Sequence, residues 1–392
     1  MKTFKLTQKE MSFLAERYQT PLLTVSLEQI AYNYLFLRNN LPRVRVFYAM
    51  KSNPAQPVIE KMAALGSSFD VASAGEIRRL GDMGVPGEHM IYANPVKTPR
   101  SLKLAAEYGV NKFTFDSESE VHKMAEYVPG SDVLLRVRID HSTALVDLNK
   151  KFGAAPEDVL YLLRLARDQG LNVRGLCFHA GSQLLSTQSH TYALELCRRL
   201  FDEAKAEGFD LDVLDIGGGL PVPAPNMEFD LTEMVQNINA DLERLFPDTE
   251  IWAEPGRYIC GTAVNFITSV IGTQKRNGQD WYFLDDGVYG ALSGIIFDHW
   301  FYEFETFKNG EEVPVTFAGP SCDSLDILYK DRFSPRLEIG DCILVPNFGA
   351  YTSASATTFN GFEKAPMLVW EDIKDNISAR QQTQSENIVA VS

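Results

Sequence analysis

Short apolar, β-branched or aromatic runs alternate with longer stretches of helical periodicity through the first two thirds of the chain. The runs are VRVFYAMK, SSFDVAS, HMIYANP, KFTFDS, VLLRVRI, RGLCFHAGS, DVLDIGGG and EIWAEPGR. Such alternation marks strand–helix–strand units and a parallel sheet. The clearest helix is PEDVLYLLRLARDQG: Pro156 and an acidic pair open it, leucines recur at helical spacing, and Gly170 closes it. ALELCRRLFDEAKAEG and LTEMVQNINADLERLF read the same way. Eight units over residues 26–262 predict a (β/α)8 barrel, for which about 250 residues is typical. An open doubly wound sheet is the runner-up, and the count of eight favours the barrel.

Beyond residue 262 the pattern changes. AVNFITSVIGTQKR, DWYFLDD, VPVTFAG, DCILVPNF and APMLVWED are strand-like, and turn clusters such as KRNGQD and KNGEE separate them. This predicts an all-β second domain over 263–392. The strand PLLTV lies ahead of the barrel, and residues 1–25 are assigned to the same domain. The tail from Asn376 is polar and reads as mobile.

In a barrel the C-terminal strand ends converge on one face, where active sites lie. Here those ends carry Lys51, Asp70, Asn94, Asp116, Arg136, His179, Gly217 to Gly219, and Glu254 with Arg257. Lys51 follows the apolar run VFYAM. Burial lowers the pKa of such a lysine. It reads either as a side chain snorkelling to the surface or as a nucleophilic amine. The three glycines, Gly217, Gly218 and Gly219, are either a flexible loop or an anion cradle in which backbone amides approach closely. Barrel phosphate sites form after strands seven and eight, where this run and Arg257 both fall. Glu254 is either a partner of Arg257 or a carboxylate facing a pyridinium nitrogen. His179 is either a core histidine or a ring that stacks on a planar ligand. One cofactor, pyridoxal 5′-phosphate, would give the lysine, glycines, arginine and glutamate a joint role.

Composition narrows the classes. The 392 residues are 45% apolar and 23% charged, ordinary for a globular protein. A formal net charge of −15 argues against nucleic-acid binding and suits a cationic substrate. The five cysteines are widely spaced with no CxxC pair, which argues against a zinc cage or disulfide framework, and no metal is expected. The polar start and the lack of a long apolar run predict a cytoplasmic protein that does not enter a membrane. Arg43 and Arg45 read as solvated charges.

The chain resembles the fold-type III, alanine racemase-like pyridoxal-phosphate decarboxylases of basic amino acids, and within them the bacterial lysine/ornithine decarboxylases related to eukaryotic ornithine decarboxylase. FYAMKSNP, SSFDVASAGEI, KFGA, FHAGSQ, DIGGG, EPGRY, DDGVYG, GPSCDSLD and GAYTSASATTFNGF carry the resemblance in order along nearly the whole chain. It implies that Lys51 holds the cofactor as an imine. It implies that Asp70, Arg136 and His179 surround the cofactor, with His179 on its ring. Ser182, Gly217 to Gly219, Arg257 and Tyr351 would bind the phosphate, and Glu254 would face the pyridine nitrogen. It further implies a homodimer with shared sites, in which Cys322 and Asp323 come from the partner subunit. Cys322 would govern reprotonation; outside this motif it would read as an inert thiol. Asp323, with Asp298 and Tyr289, would hold the distal ammonium of lysine or ornithine. The two substrates differ by one methylene, worth about 1–3 kcal/mol of discrimination, so both are expected to yield their diamines, cadaverine and putrescine. Three rivals stand beside this reading. Diaminopimelate decarboxylases carry glutamate where this chain has Asp323. Alanine racemases lack the motif set. An antizyme-inhibitor-like binding protein would bind no cofactor.

Overall fold

The computed structural model describes residues 1–140, 150–225 and 227–375. In chain order the strands are β1 (Leu22–Val25), β2 (Val44–Ala49), β3 (Ser68–Val71), β4 (Met90–Tyr92), β5 (Lys112–Phe115), β6 (Asp132–Arg136), β7 (Asn172–Cys177), β8 (Val213–Asp215), β9 (Glu250–Ala253), β10 (Val264–Arg276), β11 (Gln279–Leu284), β12 (Val313–Ala318), β13 (Ile327–Ser334), β14 (Cys342–Val345) and β15 (Met367–Val369). The long helices are α1 (Gln8–Tyr18), α2 (Leu27–Asn40), α3 (Gln56–Ala64), α4 (Ala74–Asp82), α5 (Pro99–Glu107), α6 (Glu118–Tyr127), α7 (Val159–Asp168), α8 (Gln188–Ala206) and α9 (Leu231–Leu245).

Strands β2 to β9 close into an all-parallel barrel, sealed where Val44, Arg45 and Val46 pair with Ile251, Trp252 and Ala253. All eight strands read from the apolar runs are present. The helices wrap the outside and start at short polar caps. Ser73 accepts from the Glu76 amide at α4, and Asp230 accepts from Thr232 and Glu233 at α9. Inside the lumen, Phe47, Ile91, Leu134, Cys177, Val213 and Trp252 form a separate buried cluster, with the Phe47 and Trp252 rings 4.9 Å apart. Strand side chains alternate in and out. The strand ends above this cluster therefore stand over a filled floor.

The second unit is a seven-stranded, mostly antiparallel sheet in the order β13-β12-β11-β10-β1-β15, with β14 pairing with β10. PLLTV joins it as β1, between β10 and β15. Two elements were absent from the sequence reading. Helix α1 has a full capping box, Thr7 with Glu10. Strand β13 is only half buried, so its pattern is broken by Lys330, Asp331 and Arg332. At the far end of the chain, Glu371 caps α2: its carboxylate accepts from Ser26 Oγ (2.8 Å) and from the Leu27 and Glu28 amides (both 3.0 Å). The tail beyond Asn376, read above as mobile, lies outside the described residues.

Arg43 is exposed as expected but is also tied down by hydrogen bonds, and Arg45 is half-buried rather than a solvated charge. Arg43 donates to the carbonyls of Phe246, Pro247 and Thr249, and Arg45 donates to Ser68 Oγ with its guanidinium over the Phe47 ring. Arg45 lies near the start of β2 and Arg43 just before it, while Lys51 follows its end, so both arginines belong to the opposite barrel face.

Candidate active site

A cavity of about 380 Å³ opens at the C-terminal ends of the barrel strands. Its walls include Lys51, Asp70, Asn94, Arg136, His179, Ser182, Gly218, Gly219, Glu254, Arg257 and Tyr351. Lys51 through Arg257 meet because parallel strands deliver their ends to one rim, and Tyr351 is added from the second unit, after β14.

Lys51 sits on a single 3-10 turn directly after β2. Ala49 pairs in register with Asp70 of β3, and the Lys51 ammonium forms an ion pair with the Asp70 carboxylate. Burial pulls the Lys51 pKa down, but the charges of Asp70, Tyr351 and Glu254 outweigh it and hold the ammonium above its ordinary value. This corrects the expectation of a lowered pKa at Lys51. Lys97, by contrast, is pulled down by burial to about 8. It is fully enclosed and donates to the carbonyls of Asn94, Pro95 and Thr114 beside Glu120. Lys97 is a structural clamp below the rim, and Lys51, with 45% of its side chain exposed, is the amine that solvent and ligands reach.

Glu254 follows β9 and is half-buried in the cavity wall. Burial first, then the charges of Asp215 and Asp70, raise its pKa well above the ordinary carboxylate value. Asp215, the last residue of β8, acts on it electrostatically, and burial raises the Asp215 pKa too. Asp215 is a residue the sequence reading passed over inside DIGGG. His179 accepts from the Gly181 amide through Nδ1 (3.1 Å), and burial, with Arg136 and Lys51 nearby, keeps its ring neutral.

The glycine run divides. The Gly217 amide donates to Asp215 Oδ1 (2.8 Å) and its carbonyl accepts from the Glu254 amide (2.6 Å). Gly217 is therefore consumed by the scaffold and is not in the cavity wall. Gly218 and Gly219 are in that wall, and their amides have no protein partner among the described residues. Gly219 has φ 109°, and a Cβ there would stand 2.3 Å from the Gly181 carbonyl oxygen, so only glycine fits. Nearby are two cationic side chains with unspent donors: Nε of Arg257 and Nε of Arg136 are buried without partners among the described residues. Two free amides, Ser182 and an arginine at the mouth of β8 and β9 fit an anion of phosphate size.

Arg257 and Asp298, expected to bind different ends of the ligands, pair with each other (Nη2 to Oδ2, 2.6 Å), and Arg257 lies over the rings of Trp300 and Tyr351. Cys322, Asp323 and Tyr289 are not in the cavity wall of their own chain. They form a separate outer cluster in which Tyr289 Oη donates to Asp323 Oδ2 (2.5 Å) and stacks on Phe359. Cys322 is exposed, and its amide donates to Asn360. Lys150, Lys151 and Phe152 do line the cavity. KFGA marked this stretch without a role. Asp116 fastens it by accepting from the Gly153 amide (2.8 Å).

Residues 27–261 match the model of the pyridoxal-dependent decarboxylase, pyridoxal-binding domain. The chain is 55% identical to the lysine/ornithine decarboxylase of Selenomonas ruminantium, over 95% of each chain. It superposes on a crystal structure of that organism's lysine decarboxylase in complex with pyridoxal phosphate and cadaverine with a TM-score of 0.92, at 52% identity, covering 99% of this chain and 100% of the other. It is also 33% identical to antizyme inhibitor 2 of Xenopus laevis, over 93% of this chain and 85% of that protein.

Proposed function

The chain belongs to the pyridoxal-dependent decarboxylases, and from that membership and the walls of its cavity we propose that it converts L-lysine and L-ornithine to cadaverine and putrescine with release of carbon dioxide. The observation that carries the proposal is the joint placement of a reachable amine, Lys51, a carboxyl, Glu254, and two free amides, Gly218 and Gly219, on one cavity. Lys51 would anchor the cofactor's aldehyde carbon. Gly218, Gly219, Ser182, Arg257 and Tyr351 would hold its phosphate, and Glu254 would face its ring nitrogen with neutral His179 against the ring. Bound there, pyridoxal phosphate supplies the protonated ring that accepts the electron pair left by the departing carboxylate.

The chain's own residues do the rest. Asp70 would hold the Lys51 ammonium beside the cavity once a substrate amine has taken the place of Lys51 on the cofactor. Glu254 holds a proton against the ring nitrogen. Cys322 would return a proton to Cα, while Asp323, Asp298 and Tyr289 would hold the distal ammonium of the substrate. In a homodimer, the exposed Cys322–Asp323 loop of one copy would complete the cavity of the other. Asp323 is one methylene shorter than glutamate, which suits a plain ammonium better than the second zwitterionic end of meso-diaminopimelate. Among the described residues no helix is long and apolar enough to cross a membrane, and we place the protein in the cytoplasm.

The test is product release by the purified protein with added pyridoxal phosphate, given L-lysine, L-ornithine or meso-diaminopimelate in turn. Cadaverine and putrescine are expected, and Lys51→Ala should abolish both. Turnover of meso-diaminopimelate alone would assign the other decarboxylase specificity. Silence on all three, with no cofactor absorbance, would move the chain to the antizyme-inhibitor class.

A further inference from the structure

We propose that His190 is a positioning residue for the phosphate cradle: from helix α8 its imidazole holds the Gly218 carbonyl out of the cavity and so turns the Gly219 amide into it. The proposal rests on the pyridoxal-phosphate reading above.

His190 is 2% exposed and meets the Phe178 ring edge-on, with centroids 6.5 Å apart. It borders a small apolar void behind the glycine run, together with Ile216, Gly217 and Gly218. The ring faces the Gly218 backbone across this void, and a contact there favours the protonated imidazole, as it does when a ring N–H donates to the carbonyl. Nδ1 is buried with no partner among the described residues, which leaves Nε2 as the donor. Burial lowers the His190 pKa to about 4, so the neutral ring carries one N–H and uses it here.

A histidine that merely filled space would be better replaced by an apolar ring, because an imidazole with an unsatisfied nitrogen is costly to bury. The geometry gives the imidazole a task. A trans peptide is planar, so the Gly218 carbonyl and the Gly219 N–H point in opposite directions. Fixing one fixes the other. The Gly217 carbonyl is held by the Glu254 amide, and the Gly219 carbonyl by the Leu184 amide (3.1 Å). His190 supplies the third restraint, and all three carbonyls are then held by donors of the scaffold. Without it, glycine's freedom would let the Gly218 carbonyl rotate inward and set a partial negative charge against the anion.

The experiment measures binding of pyridoxal 5′-phosphate and of pyridoxal, which lacks the phosphate, to cofactor-stripped full-length protein by absorbance titration. Wild type, His190→Phe and His190→Gln are compared, and the melting temperature of each stripped protein checks folding. His190→Phe should weaken pyridoxal phosphate about tenfold, the loss of one hydrogen bond. It should leave pyridoxal unchanged and shift the 31P resonance of the bound phosphate. His190→Gln, which keeps an N–H donor, should restore most of the affinity. Equal weakening of both compounds, or no change in either, overturns the proposal. Wild type that binds neither compound would instead sink the decarboxylase reading on which it rests.

Discussion

The Lys51 ammonium is ion-paired with the Asp70 carboxylate across adjacent strands, one turn beyond the point where Ala49 and Asp70 share register. The pair sets the protonation of the amine before any ligand arrives. Asp70→Asn removes the largest attraction on that cation, and burial then acts unopposed by it. The Lys51 pKa should fall by about 1–3 units. Labelling of the cofactor-free protein with a small amine reagent across a pH series, read at the Lys51 peptide, measures this. An unmoved midpoint would show that Asp70 does not control Lys51.

Glu254 makes the opposite demand on the fold. Its pKa is raised in the folded protein, so between the unfolded and folded values the native state binds the extra proton. Stability therefore declines as pH rises through that window. Glu254→Gln removes the titration. The cofactor-free variant should melt a few degrees higher than wild type near about pH 8 and show no such gain near about pH 4. Turnover should drop ~100-fold, in kcat more than in KM. A variant that melts lower at both pH values would contradict this account.

The separation of Cys322 from its own chain's cavity leads to a mixing experiment. If the proposed homodimer with shared sites forms, Lys51→Ala and Cys322→Ala proteins should each be nearly inactive. Random reassortment gives half heterodimers, each with one intact site, and about a quarter of wild-type activity should return. No recovery after verified subunit exchange would place both residues in the same chain's site.

Glu371 joins the last described segment to the first barrel helix. Its partial burial would raise the pKa, but the Leu27 and Glu28 amides and Ser26 more than offset this and hold it below the ordinary value. A depressed carboxyl stabilises above its unfolded pKa, and that contribution disappears as pH falls through the folded one. Glu371→Gln should cost ~1 kcal/mol at neutral pH in urea unfolding. The gap from wild type should close in acid, and a gap independent of pH would refute the charge-assisted cap.

The barrel was legible because each strand announces itself by a short apolar run and each helix by its own period. The residues at the rim were legible by position, since a polar side chain after an apolar run must lie at a strand end. Partnerships were not. Lys51 lies two residues and Lys97 five residues past a strand, and it is the tertiary surroundings that enclose one and open the other. The Arg257–Asp298 pair joins residues 41 apart in sequence. Asp215 and His190 were hidden for a different reason. They act on the backbone of the glycine run, and a side chain that serves a peptide plane leaves no periodic trace. Strand β13 was masked by charges on its solvent face, and α1 by the polar residues that interrupt Met11, Phe13, Leu14, Ala15 and Tyr18.

Among the described residues, the stack of Phe47, Ile91, Leu134, Cys177, Val213 and Trp252 closes the reaction chamber from below. Nothing leaves through the bottom of the barrel. Incoming amino acid, outgoing gas and the diamine left behind must then pass by the rim above it, and a diamine still standing there stands in the way of the next arrival.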